Sequence, residues 1–215
     1  MHRYSIVVFL SAFLLFQIQP LVARVILPWF GGTASVWNTC MMFFQIVLLL
    51  GYLYAHGLRI FLKPRTSWWV HCGVLLLAML CLPAIPGDAL QPQDAGAVAW
   101  GIVKVLSLSI GLPFFVLATT GPLIQAWHNA SDGIAESKQE SGQSRAGSPY
   151  RLYALSNIGS LLALLSYPFL IEPFLPIRTQ SILWSLLFVA FGSLCFFSGA
   201  QVRNCESWNL SLIHI

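Results

Sequence analysis

The sequence predicts an all-α, polytopic transmembrane helix bundle with six spans. The first observation is composition: 57% of the 215 residues are hydrophobic and only 8% are charged, against about 25% charged in an ordinary soluble domain. The second is that the apolar residues form runs about as long as the roughly 20 residues that cross a bilayer. The third is that most charged residues lie between these runs. Most of the chain is therefore expected to contact the lipid bilayer.

The six runs make up a single transmembrane domain, residues 1–204. The predicted spans are Ile6–Leu27, Ser35–Leu58, Trp68–Ile85, Ala97–Trp127, Tyr150–Leu175 and Gln180–Ala200. The alternative for the first run, a cleaved signal peptide, is disfavoured because Leu21, Val22 and Ala23 do not form a small-x-small cleavage pattern.

Two polar segments lie outside the spans. His128–Pro149 is rich in Ser, Gly, Gln and charge, and it has too few large apolar side chains to build a core, so a cytoplasmic loop is predicted for residues 128–149. Residues 205–215 are predicted to be an unstructured tail. Their closing string, Leu-Ser-Leu-Ile-His-Ile, resembles read-through of a sequencing adapter. We therefore expect a sequencing artefact there and a longer natural protein, of which this chain is a fragment.

The charges of the loops predict the topology. Short cytoplasmic loops carry an excess of Lys and Arg. With a cytoplasmic N-terminus, eight of the 11 basic residues fall on the cytoplasmic side and only Arg178 lies in an outer loop. Arg24 and Lys104 lie within spans, and the loop after the third span carries Asp88 and Asp94 without a basic residue. These loops predict an N-in, C-in arrangement.

Polar residues inside several spans recur at helical spacing. Gln17 and Arg24 share a face of the first span with Pro20, and Asn38 and Gln45 are seven residues apart in the second. Polar groups inside a membrane usually face protein or a water-filled cavity because exposure to hydrocarbon is costly. The residues predicted to line a shared polar interior are Gln17, Arg24, Asn38, Gln45, Lys104, Asn157 and Glu172.

Other placements of these residues stay open at the level of sequence. Arg24 and Lys104 lie near the outer ends of their spans and could extend to the headgroups. The Asn and Gln side chains could join neighbouring helices by hydrogen bonds. Glu172, at the outer end of the fifth span, could pair with Arg24, Lys104 or Arg178, or meet water.

The fourth and fifth spans carry further backbone signals. Gly111–Pro113 lies at the centre of the unusually long fourth span, which predicts a strong tilt, a break, or both. In the fifth span, Gly159 and Ala163 are four residues apart, a spacing that allows helix backbones to approach closely. This pattern predicts close packing and a central position for the fifth span.

Several classes of function lack sequence support. The chain has no Gly-x-Ser-x-Gly element, Walker loop or Rossmann glycine pattern, so we expect neither an enzyme nor a cofactor site. Its histidines lack ligand spacing, which argues against a metal site. The basic residues are not gathered into a patch, which argues against nucleic acid. The five cysteines contain no Cys-x-x-Cys, and a Cys40–Cys81 bridge is less expected than buried thiols.

Two segments carry a resemblance to a known family. One is Phe9–His56, with the elements QIQPLVAR at Gln17–Arg24 and PWFGG at Pro28–Gly32; the other is Tyr150–Pro173, with YALSNIGS at Tyr153–Ser160. Together they resemble the membrane half of bacterial fused major-facilitator/spermidine-synthase-like proteins. The resemblance covers most of residues 5–200. In that family several spans precede a cytoplasmic aminopropyltransferase-like domain, whose glycine-rich nucleotide loop has no counterpart in this chain.

This resemblance implies a multi-pass protein of the bacterial inner membrane that forms the membrane domain of a spermidine-synthase-like fusion. Together with the polar faces, it leads to the expectation of a domain that transports or binds a small polar or charged metabolite. The alternative is a membrane anchor or regulatory module for the cytoplasmic synthase-like domain, with packed polar groups and no continuous cavity.

Overall fold

The computed structural model describes residues 2–87, 90–91, 98–136 and 148–200, and within these ranges the chain is helical, without a strand. The α-helices are α1 (His2–Phe30), α2 (Ala34–Phe61), α3 (Pro64–Leu80), α4 (Val98–Leu106), α5 (Leu112–Glu136), α6 (Ser148–Ser166) and α7 (Ile177–Gly199). The middle of the predicted 128–149 loop and the predicted tail lie outside the described residues. We call the end of the bundle near Phe30 the outer end, in keeping with the loop-charge prediction.

Within the described ranges, five helical segments are long and apolar enough to cross a membrane. They are Tyr4–Phe30, Ala34–Phe61, Val98–Trp127, Tyr150–Ile171 and Ile177–Gly199. Helices satisfy their own backbone hydrogen bonds, which is what a hydrocarbon environment requires. The prediction of an all-helical protein whose helices are suited to a membrane is therefore confirmed.

The sixth predicted span corresponds to α3, and its bounds differ from the prediction. The helix has 17 residues and ends at Leu80 rather than Ile85. Its start shifts to Pro64, a residue well suited to the first helical turn, while Pro83 lies just beyond its end. Six spans and the N-in arrangement therefore remain predictions. The helix α5 also continues to Glu136, beyond the predicted span end at Trp127, because a helix leaving a bilayer keeps its internal hydrogen bonds.

Two π-helical turns interrupt the long segments, each beside a proline. One spans Ser107–Gly111, between α4 and α5, and Pro113 comes shortly after it. The other spans Tyr167–Ile171, after α6, and contains Pro168. A proline ring clashes with the carbonyl four residues earlier, and a wider turn is one way to relieve that clash. The expected irregularity at Gly111–Pro113 is thus a widened turn within a continuing helix.

The central helix is α1 rather than α6. Helix α1 packs most extensively against α6 and also against α5 and α7, while α2 packs against α4 and α5. In the most apolar window of α1, 61% of the residues are buried, against 17% in that of α6. The expectation of a central fifth span was therefore wrong. The small residues do allow a close approach, but only along the one face where a Cβ on Gly159 would lie 2.7 Å from the Phe9 carbonyl oxygen.

Successive helices α1 and α2 touch each other only slightly, although α2 packs closely on α5. Helix α6 packs along α1. A groove consequently runs between α2 and α6, with α1, α4 and α5 as its floor. We call it the lateral groove.

Candidate functional site

The lateral groove consists of two connected cavities. The outer cavity has a volume of about 580 Å³ and the inner one about 280 Å³. They share Gln19 of α1 and Met41 and Phe44 of α2 as lining residues. Because the linings are continuous, a ligand in the outer cavity can extend towards the inner one.

The outer cavity holds a pair of opposite charges. Arg24 Nε lies 3.8 Å from Glu172 Oε1, and Arg24 Nη1 donates a hydrogen bond of 3.3 Å to the Glu172 carbonyl oxygen. Among the partners that the sequence left open for Glu172, the structure selects Arg24. The side chains of Arg24 and Glu172 are 36% and 46% exposed, so neither is sealed within the bundle. The hydroxyl of Tyr167 lies within electrostatic range of both charges.

The π turn after α6 places Glu172 in this cavity. The Glu172 N–H donates to the Tyr167 carbonyl oxygen, five residues earlier, at 2.8 Å. An α-helical turn would link residues four apart, so the extra residue rotates Glu172 and the residues after it about the helix axis. As a result Tyr167, Pro168 and Glu172 all line the cavity that also contains Arg24.

The rest of the outer cavity is largely apolar. Its walls include Phe44 of α2, Leu106 of α4 and Leu164 of α6. Trp37 and Met41 on one wall and Leu164 on the other are exposed on the side of the bundle. The groove therefore opens sideways, where a bilayer would lie, and the charged residues among its described lining lie at the outer end.

The inner cavity is more polar, and none of its described lining residues is charged. Gln45 and Tyr52 of α2 face Ser156 of α6 across it. Two of its polar groups on α1 are already engaged: Gln19 Nε2 donates to the Leu15 carbonyl at 3.4 Å, and Ser11 Oγ donates to a carbonyl of its own helix at 2.9 Å. Amides and hydroxyls thus line this part of the groove.

The structure brings together only some of the residues predicted for a shared interior. Arg24 and Glu172 line the outer cavity and Gln45 the inner one. Gln17 is buried in a third cavity of about 160 Å³, between α1, the second π turn and α7. Tyr167 lines this cavity as well as the outer one and so lies between Gln17 and Arg24.

The other three predicted residues line none of these cavities. Asn38, Lys104 and Asn157 are exposed on the outside of the described bundle. Each shares a helical face with polar neighbours, as the sequence indicated. Periodicity identifies a polar face of a helix but does not reveal whether another helix packs against that face. Among the described helices, the polar face of α1 is covered at Gln17, whereas that of α6 is exposed at Asn157.

Two groove residues were missed by the interpretation of the sequence. Gln19 was passed over in favour of Gln17, its neighbour on the other face of α1. Tyr167 was overlooked because the π turn changes the helical phase just where it lies. The one signal for that turn was Pro168, a proline inside an otherwise apolar run.

A second polar group, also missed, lies at the inner end between α2, α3, α5 and α7. The ring centroid of buried His71 is 6.2 Å from that of Tyr54 and 5.7 Å from that of Trp127. Trp68 and Trp127 both pack against the backbone of Gly199. We define the His71 cluster as Tyr54, Ser67, Trp68, His71, Trp127 and Ser198.

Most polar atoms of the His71 cluster are buried without a hydrogen bond to the described part of the chain. They are both ring nitrogens of His71, the hydroxyls of Tyr54, Ser67 and Ser198, and Nε1 of Trp68. The contrast is Trp184 in α7, whose Nε1 donates to the Leu14 carbonyl at 3.1 Å. The cluster therefore lacks the local hydrogen-bonding that buried polar groups normally have.

Within the described residues there is no group of three or more His, Cys, Asp or Glu side chains that could hold a metal ion. The four cysteines in those ranges are free thiols, so Cys40 and Cys81 are not bridged. Cys205 lies outside them.

Comparison with known proteins finds no matching family model, no similar curated protein and no similar solved structure.

Proposed function

We propose that this chain is a membrane-embedded binding domain that takes up a small metabolite in the lateral groove. The observation that carries the proposal is the outer cavity, in which Arg24 and Glu172 lie at one end of a largely apolar space of about 580 Å³. Pockets of a few hundred Å³ with a few convergent polar groups are typical of small-molecule sites. A pure anchor would need no such cavity.

We further propose that the domain belongs to a fused major-facilitator/spermidine-synthase-like protein of the bacterial inner membrane, with a cytoplasmic synthase-like domain as its partner. The three sequence elements that carry the resemblance converge in space, which supports this proposal. Gln19 and Arg24 line the groove, Pro28 lines its outer cavity, and Ser156 lines its inner one. Gly159 packs against α1 beside them. Residues of all three elements thus line or adjoin the proposed site.

Binding is proposed ahead of transport because the groove opens sideways and its charges are confined to one end. Transport would need access from both sides of the membrane in turn. The anchor or regulatory role is the remaining alternative, and it would leave the groove without a ligand.

The test is thermal unfolding of the purified full chain in detergent with three soluble probes: spermidine, glutamate and phosphoethanolamine. A ligand at 100 times its Kd stabilises a protein by about 2.7 kcal/mol. We expect at least one probe to raise the unfolding temperature of the native protein, and to do so less for Arg24→Met. The matched control is Arg178→Met, which removes an exposed cation at the outer end that lines none of the three cavities. The proposal is overturned if no probe stabilises the native protein and native mass spectrometry finds no molecule bound to it.

A further inference from the structure

We propose that the groove takes a zwitterionic aminophospholipid, with the lipid phosphate at Arg24, its ammonium at Glu172 and one acyl chain along the apolar wall. This inference rests on the proposed function, since it names the ligand of the same groove.

The depth of the charge pair is the first argument. Helix α1 has 29 residues, which at about 1.5 Å per residue gives about 44 Å, close to the 40–45 Å of a bilayer with its headgroup layers. Arg24 lies six residues before the end of this helix at Phe30, which is about 9 Å along the axis. The hydrocarbon core is about 30 Å thick, so Arg24 lies near its boundary. That is the level at which lipid headgroups meet their chains.

The second argument is charge complementarity. The site contains one cation and one anion within 3.8 Å of each other, so its formal charges cancel. A purely anionic headgroup would be attracted by Arg24 and repelled by Glu172. A headgroup that carries both a phosphate and an ammonium can satisfy both side chains at once. Arg24 has five N–H donors, and its 3.3 Å hydrogen bond to the Glu172 carbonyl oxygen uses one of them, which leaves capacity for a phosphate.

The third argument is the shape of the groove. Below the charge pair its lining is formed by side chains such as Phe44, Leu106 and Leu164, and polar lining residues recur only near Gln19. The groove is open along the side of the bundle between Met41 and Leu164, both of which are exposed. An acyl chain can enter from the bilayer without leaving hydrocarbon. A soluble metabolite would leave most of this apolar surface unfilled.

The experiment is native mass spectrometry of the purified full chain, released from nanodiscs that contain equal amounts of phosphatidylethanolamine, phosphatidylcholine and phosphatidylglycerol. We expect one retained lipid, with phosphatidylethanolamine preferred because its primary ammonium can donate hydrogen bonds to Glu172. Arg24→Met and Glu172→Gln should each lower its retention about tenfold, equivalent to about 1.4 kcal/mol. Arg178→Met, which changes a cation outside the cavities, should retain the lipid as the native protein does.

A second variant tests the groove without touching the charges. Leu164→Trp places an indole in the groove wall at an already exposed position and should lower lipid retention at least as much as the charge variants do. Preference for phosphatidylglycerol, or retention unchanged by both Arg24→Met and Leu164→Trp, would overturn the inference. Stabilisation by a soluble probe without any retained lipid would overturn the lipid assignment while leaving the binding function in place. If no soluble probe stabilises the protein and no lipid is retained, both proposals are overturned.

Discussion

The lateral groove and the His71 cluster both hold polar side chains inside the bundle, yet they do so in opposite ways. In the groove, Arg24 and Glu172 are partly exposed and bonded to each other. In the cluster, His71 and Ser67 are 1% and 0% exposed, and their polar side-chain atoms make no hydrogen bond within the described structure. A charged side chain is tolerated in a membrane when it pairs with an opposite charge and reaches the headgroups. A neutral polar group can instead be enclosed, at the cost of its lost hydrogen bonds.

The largest expected effect is an all-or-none contrast in cysteine labelling between the outer and inner ends of the bundle. In a background with all five native cysteines replaced by alanine, Gln91→Cys should react with an impermeant maleimide added outside. Lys63→Cys, in the turn between α2 and α3, should react only after the membrane is opened. Both positions are exposed. The measurement is the gel shift of the protein labelled in intact cells. If Lys63→Cys reacts from outside and Gln91→Cys does not, the charges of the groove lie at the cytoplasmic surface and the loop-charge argument is refuted.

The next largest effect distinguishes how much packing and how much polar side chains contribute to stability in the His71 cluster. Trp68→Ala should lower the free energy of unfolding by about 3 kcal/mol or more because it leaves a large cavity. His71→Leu should change it by less than about 1 kcal/mol, since leucine removes two buried nitrogens without a hydrogen bond to the described chain. Chemical unfolding in mixed micelles measures both. If His71→Leu lowers the free energy of unfolding as much as Trp68→Ala does, the polar groups of the cluster are hydrogen-bonded to one another and are not merely buried.

The smallest predicted effect concerns the contact between α6 and α1 beside the groove. Gly159→Ala should cost about 1 to 3 kcal/mol because its methyl group would press on the Phe9 carbonyl. Gly73→Ala in α3 is the matched control, because a Cβ there meets nothing within 4 Å; it should be neutral or slightly stabilising. Thermal unfolding of the two variants compares them directly. Equal stabilities would mean that α6 does not hold its observed contact with α1.

Hydropathy was sufficient to predict the class of the fold, because lipid imposes long apolar helices whatever their partners. Periodicity placed Arg24 on a polar face, but it could not decide between Gln17 and Gln19 as groove residues. That choice depends on which helices lie beside α1, and no local pattern encodes it. His71 was unpredictable for the same reason, since its cluster combines residues of α2 and α3 with residues of α5 and α7, which come much later in the sequence.

The π turn at Tyr167–Ile171 has a consequence for how related chains should be aligned. Deleting one residue there, for example the exposed Phe169, would allow the turn to close as an ordinary α-helix. The Glu172 N–H and the Tyr167 carbonyl, which are bonded across five residues in the π turn, would then be four residues apart and could still bond, so Glu172 would keep facing Arg24. A chain of unchanged length that closed the turn as an α-helix would instead rotate Glu172 by about 100°; it would keep both charged residues and lose the site. A homologue can therefore lack one residue at this turn and keep the site, and an alignment should allow a single-residue gap there.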